Sequence, residues 1–138
     1  MHAPFLKNQV YNRRRDIHAK FGGQTQGGIS TPRGQPYIFL FTAHAGEQYG
    51  YNDGWINNSD FLYFGEGQAG DMRFARGNRA VVDHAKSGKR LLLFEGVASG
   101  SYRFLGEFTL KAAEDKQTPD KSGRLRRAIA FHIGPAVT

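Results

Sequence analysis

The strongest limit on the fold is a series of short, extended apolar runs separated by glycine-rich and polar breaks. Tyr37 to Thr42 is a continuous run of aromatic, aliphatic and β-branched residues, and reads as a strand buried on both faces. Phe61 to Phe64 and Arg90 to Glu95 repeat the pattern. Ser101 to Leu110 alternates, placing Tyr102, Phe104 and Phe108 toward one face, and Leu125, Ile129, Phe131 and Ile133 mark a last strand. Ser99-Gly100 turns the third run into the fourth as a hairpin. Ala113 to Gly123, rich in Lys, Asp, Pro and Ser, reads as a long polar hairpin loop.

Two helices complete the pattern. Asn8 is placed to cap the first, with Val10, Arg14, Ile17 and Phe21 at near-helical spacing and Gly22-Gly23 as its stop. Asn78 caps the second, Arg79 to Ser87 form it, and Gly88 closes it. Five or six strands joined mostly by hairpins predict an α+β domain built on antiparallel pairing, with a curved sheet or barrel. At 138 residues the chain is a single domain, 1–138, large enough to bury its own core.

Composition removes several function classes. With no cysteine there is no disulfide framework, thiol nucleophile or zinc ribbon. The longest apolar runs fall well short of the ~20 residues of a membrane span, and no secretory signal opens the chain, so a soluble intracellular protein is expected. The balance of 19 Lys and Arg against 12 Asp and Glu, +7 net, favours a polyanionic partner. The run Arg13-Arg14-Arg15 is spread around its helix and cannot present all three side chains to one phosphate strand; a solvated helix face explains it equally well.

The motifs point the same way. Gly65 to Gly70 spells GxGxxG after a strand, but Gly77 soon interrupts any helix there, and Lys89-Arg90 stand where a ribose-binding acid belongs, so no nucleotide cofactor is expected. The five histidines, His2, His18, His44, His84 and His132, form no metal-ligand spacing, and no metal is expected. Four glycines within Gly22 to Gly28 make a loop whose backbone can approach a ligand closely, or simply a tight connection. The densest constellation is Tyr49, Tyr51, Asp53, Trp55 and Tyr63 among glycines. Aromatic faces stack on a base, and a carboxylate accepts from an exocyclic amino group. A glycine-rich hairpin with core aromatics has the same composition.

Taken in order, Arg15 to His18, Phe21 to Pro32, Ile38 to Thr42, Tyr49 to Trp55, Phe61 to Gln68, Gly70 to Met72, Gly77-Asn78, Asp83-His84, Gly88 to Glu95 and Tyr102 to Phe108 resemble the SRA (SET- and RING-associated, or YDG) domain. The likeness spans roughly residues 13 to 133, and is nearest to bacterial forms that sit beside HNH nuclease domains in modification-dependent restriction endonucleases of the Mcr type. The resemblance implies a PUA-like, strongly curved antiparallel β-barrel with flanking helices. It implies a chain that is not itself an enzyme and that binds duplex DNA carrying 5-methylcytosine or 5-hydroxymethylcytosine by flipping the base into an aromatic pocket.

Carried over by motif, Tyr51 and Tyr63 stack on the base and Asp53 takes its Watson–Crick edge, with Tyr49, Trp55, Phe64 and Gly65 completing the pocket. Phe64 stands where the eukaryotic pattern has a small polar residue, which bears on how the 5-substituent is housed. Gln24, Gln26, Arg33, Arg73, Arg76, Lys89 and Arg90 are the candidate DNA contacts, and one of Gln24, Gln26 or Arg33 is expected to fill the gap left in the duplex. The same likeness leads us to expect a nuclease domain after Thr138, a homodimer in the longer protein, and a place in the bacterial cytoplasm beside the nucleoid. Rival readings are an RNA-binding PUA-like module, a carboxylate-dependent hydrolase using Asp53, Glu66 or Asp71, and a structural or protein-binding barrel.

Overall fold

In the computed structural model, residues 3–42 and 53–136 are described. β1 (Val10–Asn12) leads into helix α1, which winds as a π-helical turn over Arg13–His18 and as α-helix over Ala19–Phe21. β2 (Ile29–Ser30), β3 (Tyr37–Thr42), β4 (Gly54–Trp55) and β5 (Phe61–Phe64) follow. Then come α2 (Arg76–Val82), β6 (Arg90–Ala98), β7 (Ser101–Pro119) and β8 (Leu125–Pro135). All the strands belong to one sheet, ordered β2-β3-β6-β7-β8-β5-β4, with β1 paired to β7. Among the described residues no helix is long and apolar enough to cross a membrane.

The runs at Tyr37–Thr42 and Phe61–Phe64 are strands with the expected bounds. β3 is buried on both faces because its side chains alternate between two cores. Ile38 and Leu40 join Leu91, Leu93, Phe61, Tyr63, Ile129 and Phe131 on one side. Phe39 and Phe41 join Phe5, Ile17, Leu92, Phe94 and Phe104 on the other. The second core is largely aromatic, with Phe5 edge-on to Phe94 at 5.1 Å and Phe41 stacked on Phe94 at 5.4 Å.

Several expectations are corrected. The sheet is mixed, since β3 and β6 run parallel from Tyr37↔Arg90 to Thr42↔Glu95. The chain between them carries β4, β5 and α2, a crossover of the length parallel pairing needs. Among the described residues the sheet is also not closed into a barrel: β2 and β4 are its two ends. Val10 is in a strand opposite Arg103, and Asn8 has φ 73°, so the first helix starts later, with Asn12 accepting from the Arg15 N–H at 2.8 Å. Asn78 lies inside α2 and caps nothing, because its amide is bound elsewhere. The polar stretch from Ala113 is strand as far as Pro119, paired residue by residue with β8. On the β7 side this stretch is exposed at nearly every residue, so it shows no apolar alternation, while its partners Ala128 to Phe131 on β8 are buried. Only its tip turns, where the Asp120 carboxylate accepts from Ser122 N–H (2.8 Å), Arg124 N–H (3.1 Å) and Gly70 N–H (3.0 Å).

Candidate functional site

Among the described residues, side chains rather than a ladder link the two ends of the open sheet. Tyr63 on β5 is 2% exposed, and its hydroxyl reaches the carbonyls of Gly28 (2.8 Å) and Phe41 (3.0 Å) at the β2–β3 end. Gly28 has to be glycine, since a Cβ there would sit 2.7 Å from that hydroxyl oxygen. Burial raises the Tyr63 phenol well above its usual range, and the carboxylates of Asp53 and Glu66 add to the effect.

Asp53, just before β4, makes the second bridge. Its Oδ2 accepts from the Thr42 hydroxyl at 2.7 Å and its Oδ1 from the Phe64 N–H at 2.8 Å. Burial pushes its carboxyl up, against the pull of those two donors. Each oxygen spends one acceptor direction on the protein, and a carboxylate offers about four in all. The group is thus oriented by the fold and still able to accept from a ligand amino group.

The Gly65 to Asp71 loop is held as firmly. Gly65 N–H donates to Ile129 O at 2.8 Å, and a Cβ on Gly65 would lie 2.6 Å from Asn78 Oδ1. Asn78 is 2% exposed. Its Oδ1 accepts from Glu66 N–H (2.8 Å), while its Nδ2 donates to Glu66 O and Arg73 O, both at 2.9 Å. Glu66 Oε2 accepts from Gly77 N–H at 3.1 Å, and burial raises its carboxyl. From the far side, Arg126 donates to Gly70 O at 2.7 Å and Gly67 O at 3.0 Å.

The ScoMcrA-like SRA domain is the family whose sequence model matches residues 7–138. The chain belongs to the SRA domain family. No curated protein matches it. Among solved structures, the sulfur-binding and SRA domains of ScoMcrA in complex with phosphorothioated DNA superpose with TM-score 0.75 at 22% identity, over 96% of this chain and 40% of that one. ScoMcrA described as a type IV phosphorothioation-dependent restriction endonuclease gives TM-score 0.75 at 22% identity, over 96% of this chain and 25% of that one. The SRA domain of SUVH5 with hemi-methylated CG DNA gives TM-score 0.72 at 14% identity, over 100% of this chain and 93% of that one. At such identities the likeness establishes the fold. This SRA domain spans less than half of each of the two ScoMcrA chains, and one of those ScoMcrA structures and the SUVH5 structure are complexes with modified DNA.

On this SRA fold the expected pocket residues are partly assembled. Asp53, Tyr63, Phe64 and Gly65 come together; Tyr49 and Tyr51 lie outside the described residues. Trp55 is 50% exposed and sits edge-on to Phe61 at 5.2 Å. Of the expected DNA contacts, Gln24 and Gln26 lie on the loop leading to Gly28. Gln24 also braces that loop, its Nε2 donating to Ile29 O at 2.7 Å. Arg73, after the Gly65 loop, and Arg76, the first residue of α2, are exposed.

Lys89 and Arg90 are not brought to Asp53. They flank the start of β6, whereas Thr42 pairs with Glu95, five positions away or roughly 16 Å along the strand. Lys89 Nζ donates to Gln35 O, and Arg90 pairs with Glu107 at 2.5 Å. Arg33 shares a concavity of about 210 Å³ with Lys89 and Tyr37. Sequence reasoning missed Thr42, Asn78 as a brace, and Arg126. Asn78 carries a local signal, but one of a helix cap, and Thr42 carries none beyond closing an apolar run.

Proposed function

We propose that this SRA domain reads modified cytosine, 5-methylcytosine or 5-hydroxymethylcytosine, in duplex DNA by flipping the base against Tyr63, with Tyr51 as the opposing ring. Asp53 accepts the hydrogen bond from the base amino group. The observation that supports this most is the Asp53 carboxylate, fixed by Thr42 and Phe64 with acceptor capacity left over. Since Tyr63 is 2% exposed, its ring receives a base only as neighbouring side chains give way. Binding therefore includes an opening step.

The energetics divide the work. Flipping costs a few kcal/mol and stacking returns ~1–3 kcal/mol per base, so phosphate contacts from a chain of net charge +7 supply much of the affinity. A 5-substituent contact is worth ~1–3 kcal/mol, which sets a preference of about tens-fold over unmodified DNA. On this reading the domain binds and does not cleave. It serves as the recognition module of a modification-dependent restriction endonuclease, whose HNH nuclease domain follows this segment and whose full-length form is a homodimer in the bacterial cytoplasm.

Asp53→Asn tests the assignment. The amide still accepts from Phe64 N–H and turns its NH₂ toward the Thr42 oxygen, so the fold survives, but a donor now meets the base. Binding to the modified duplex should fall about tenfold or more, the worth of a charge-assisted hydrogen bond, and the preference over unmodified DNA should shrink with it. Unchanged affinity and preference would remove Asp53 from the pocket.

A further inference from the structure

Among the described residues, one buried guanidinium has no carboxylate paired with it. Arg13 opens α1 and is 6% exposed. Its Nε donates to His18 Nε2 at 2.9 Å and its Nη2 to Gln24 O at 3.2 Å. The charged carbon lies 3.7 Å from the centroid of the Phe41 ring and 5.9 Å from that of Tyr102. All of these partners are neutral. His18 Nδ1 is 2.8 Å from Gly22 O, so the ring donates there, accepts at Nε2 and carries no charge.

Among the described residues no carboxylate pairs with Arg13, whereas Arg15, Arg79, Arg90, Lys111 and Lys116 each have one. Burial pulls the Arg13 guanidinium below its usual range. Holding a cation out of water without a counter-ion is costly, and an anionic ligand relieves that cost.

Arg13 also lines a polar concavity of about 400 Å³, together with Asn12, Arg14, Thr25, Tyr102 and the Ser99-Gly100 turn. Two guanidiniums, a hydroxyl and a carboxamide form a donor set suited to phosphate oxygens, and a planar guanidinium matches them in pairs. The concavity adjoins the base site through one residue: Arg13 covers the Phe41 ring, while the Phe41 carbonyl faces the Tyr63 hydroxyl.

We propose that this concavity seats one phosphodiester group of the bound DNA, close to the flipped nucleotide, with Arg13 and Arg14 as its cations and Thr25 as a hydroxyl donor. The proposal rests on the DNA-binding reading above. It gives the run Arg13-Arg14-Arg15 a division of labour: one side chain buried behind the phosphate, one beside it, and the third tied to Asp16 at 3.1 Å.

The test is a scan of neutral methylphosphonate linkages along a modified duplex, read with the wild type, Arg14→Gln and Thr25→Val. Arg14 and Thr25 are exposed, so these variants fold where Arg13 variants risk not doing so. One linkage should weaken wild-type binding about tenfold, as one charge-assisted hydrogen bond would, and that cost should largely vanish in Arg14→Gln and diminish in Thr25→Val. Arg14→Gln should also lower the slope of log K against log salt by about 0.9, equally for modified and unmodified duplexes.

Equal methylphosphonate costs in wild type and Arg14→Gln, with the preference for modified DNA intact, would overturn this inference alone. Coupling at one linkage with no preference for modified DNA would uphold it and sink the base reading. Stabilisation by inorganic phosphate that is lost in Arg14→Gln, but with no coupling along the duplex, would mark a free-anion site and overturn the assignment to DNA.

Discussion

Tyr63→Phe removes a single oxygen from the place where the two ends of the sheet meet, and its cost can be worked out from the contacts. The hydroxyl reaches Gly28 O and Phe41 O at 2.8 and 3.0 Å. Gly28 O keeps a second donor, the Phe41 N–H at 2.7 Å, so the loss falls mainly on the buried Phe41 carbonyl. A lost hydrogen bond of ~1 kcal/mol plus partial desolvation of one orphaned acceptor gives about 2 kcal/mol. For 138 residues, an unfolding entropy of ~2.1 cal/mol/K per residue converts this to a fall in Tm of about 7 °C. Thermal unfolding followed by circular dichroism measures it. Tyr11→Phe is the control, because the Tyr11 hydroxyl only accepts from Leu6 N–H near the surface and should cost under ~0.5 kcal/mol. The ring proposed to stack on a base is kept, so on that proposal Tyr63→Phe should retain the preference for modified DNA while Tyr63→Ala loses it. A Tyr63→Phe protein melting within a degree or so of wild type would refute the idea that this hydroxyl clasps the open sheet.

Two further outcomes follow from the same contacts. Asn78→Ala should cost about 3 kcal/mol, or ~10 °C in Tm, since it strips three hydrogen bonds from a buried amide and leaves Glu66 N–H without its acceptor; chemical denaturation checks it, and a loss below ~1 kcal/mol would contradict the bracing role. His18 is neutral in the fold, and burial, with Arg13 adding to it, lowers its pKa. The unfolded chain therefore binds the proton more readily. The His18 contribution is fully present above the unfolded value of about 6.5 and declines as pH falls below it. Wild type should lose more stability than His18→Gln between neutral pH and about pH 5, measured as the pH dependence of Tm; parallel curves would contradict this.

What the sequence disclosed depended on whether an element had a local reason to be what it is. Tyr37–Thr42 and Phe61–Phe64 were legible because burial on both faces demands unbroken apolar residues, and the Ser99-Gly100 hairpin because a tight turn needs a particular backbone. The β7–β8 ribbon was hidden: Ala113 to Pro119 is polar on both faces, and its strand character comes only from pairing with β8. β1 was hidden in the same way, since three residues become a strand only because Arg103 and its neighbours lie alongside. The parallel pairing of β3 and β6 joins residues some fifty positions apart and leaves no local mark.

At the candidate site, Asp53, Tyr63 and Gly65, which the fold brings together, stand out in the sequence by their company of aromatics and glycines together with the family likeness. Thr42, Asn78 and Arg126 do not. Each does its work across the fold, on a backbone group or carboxylate that sequence distance conceals. Lys89 and Arg90 are adjacent in sequence, but the fold gives one to the Gln35 carbonyl and the other to Glu107, partners that sequence distance also conceals.

The central claim is most directly tested by fluorescence-anisotropy titration of the wild-type domain at two salt concentrations. The matched duplexes would carry cytosine, 5-methylcytosine, 5-hydroxymethylcytosine or, with unmodified bases, a phosphorothioate linkage. The account predicts that a duplex with a modified base binds about tens-fold tighter than the unmodified one, and that this ratio persists at the higher salt while all affinities fall. Equal binding to all the duplexes that fades together with salt, or a preference for the phosphorothioate alone, would contradict it.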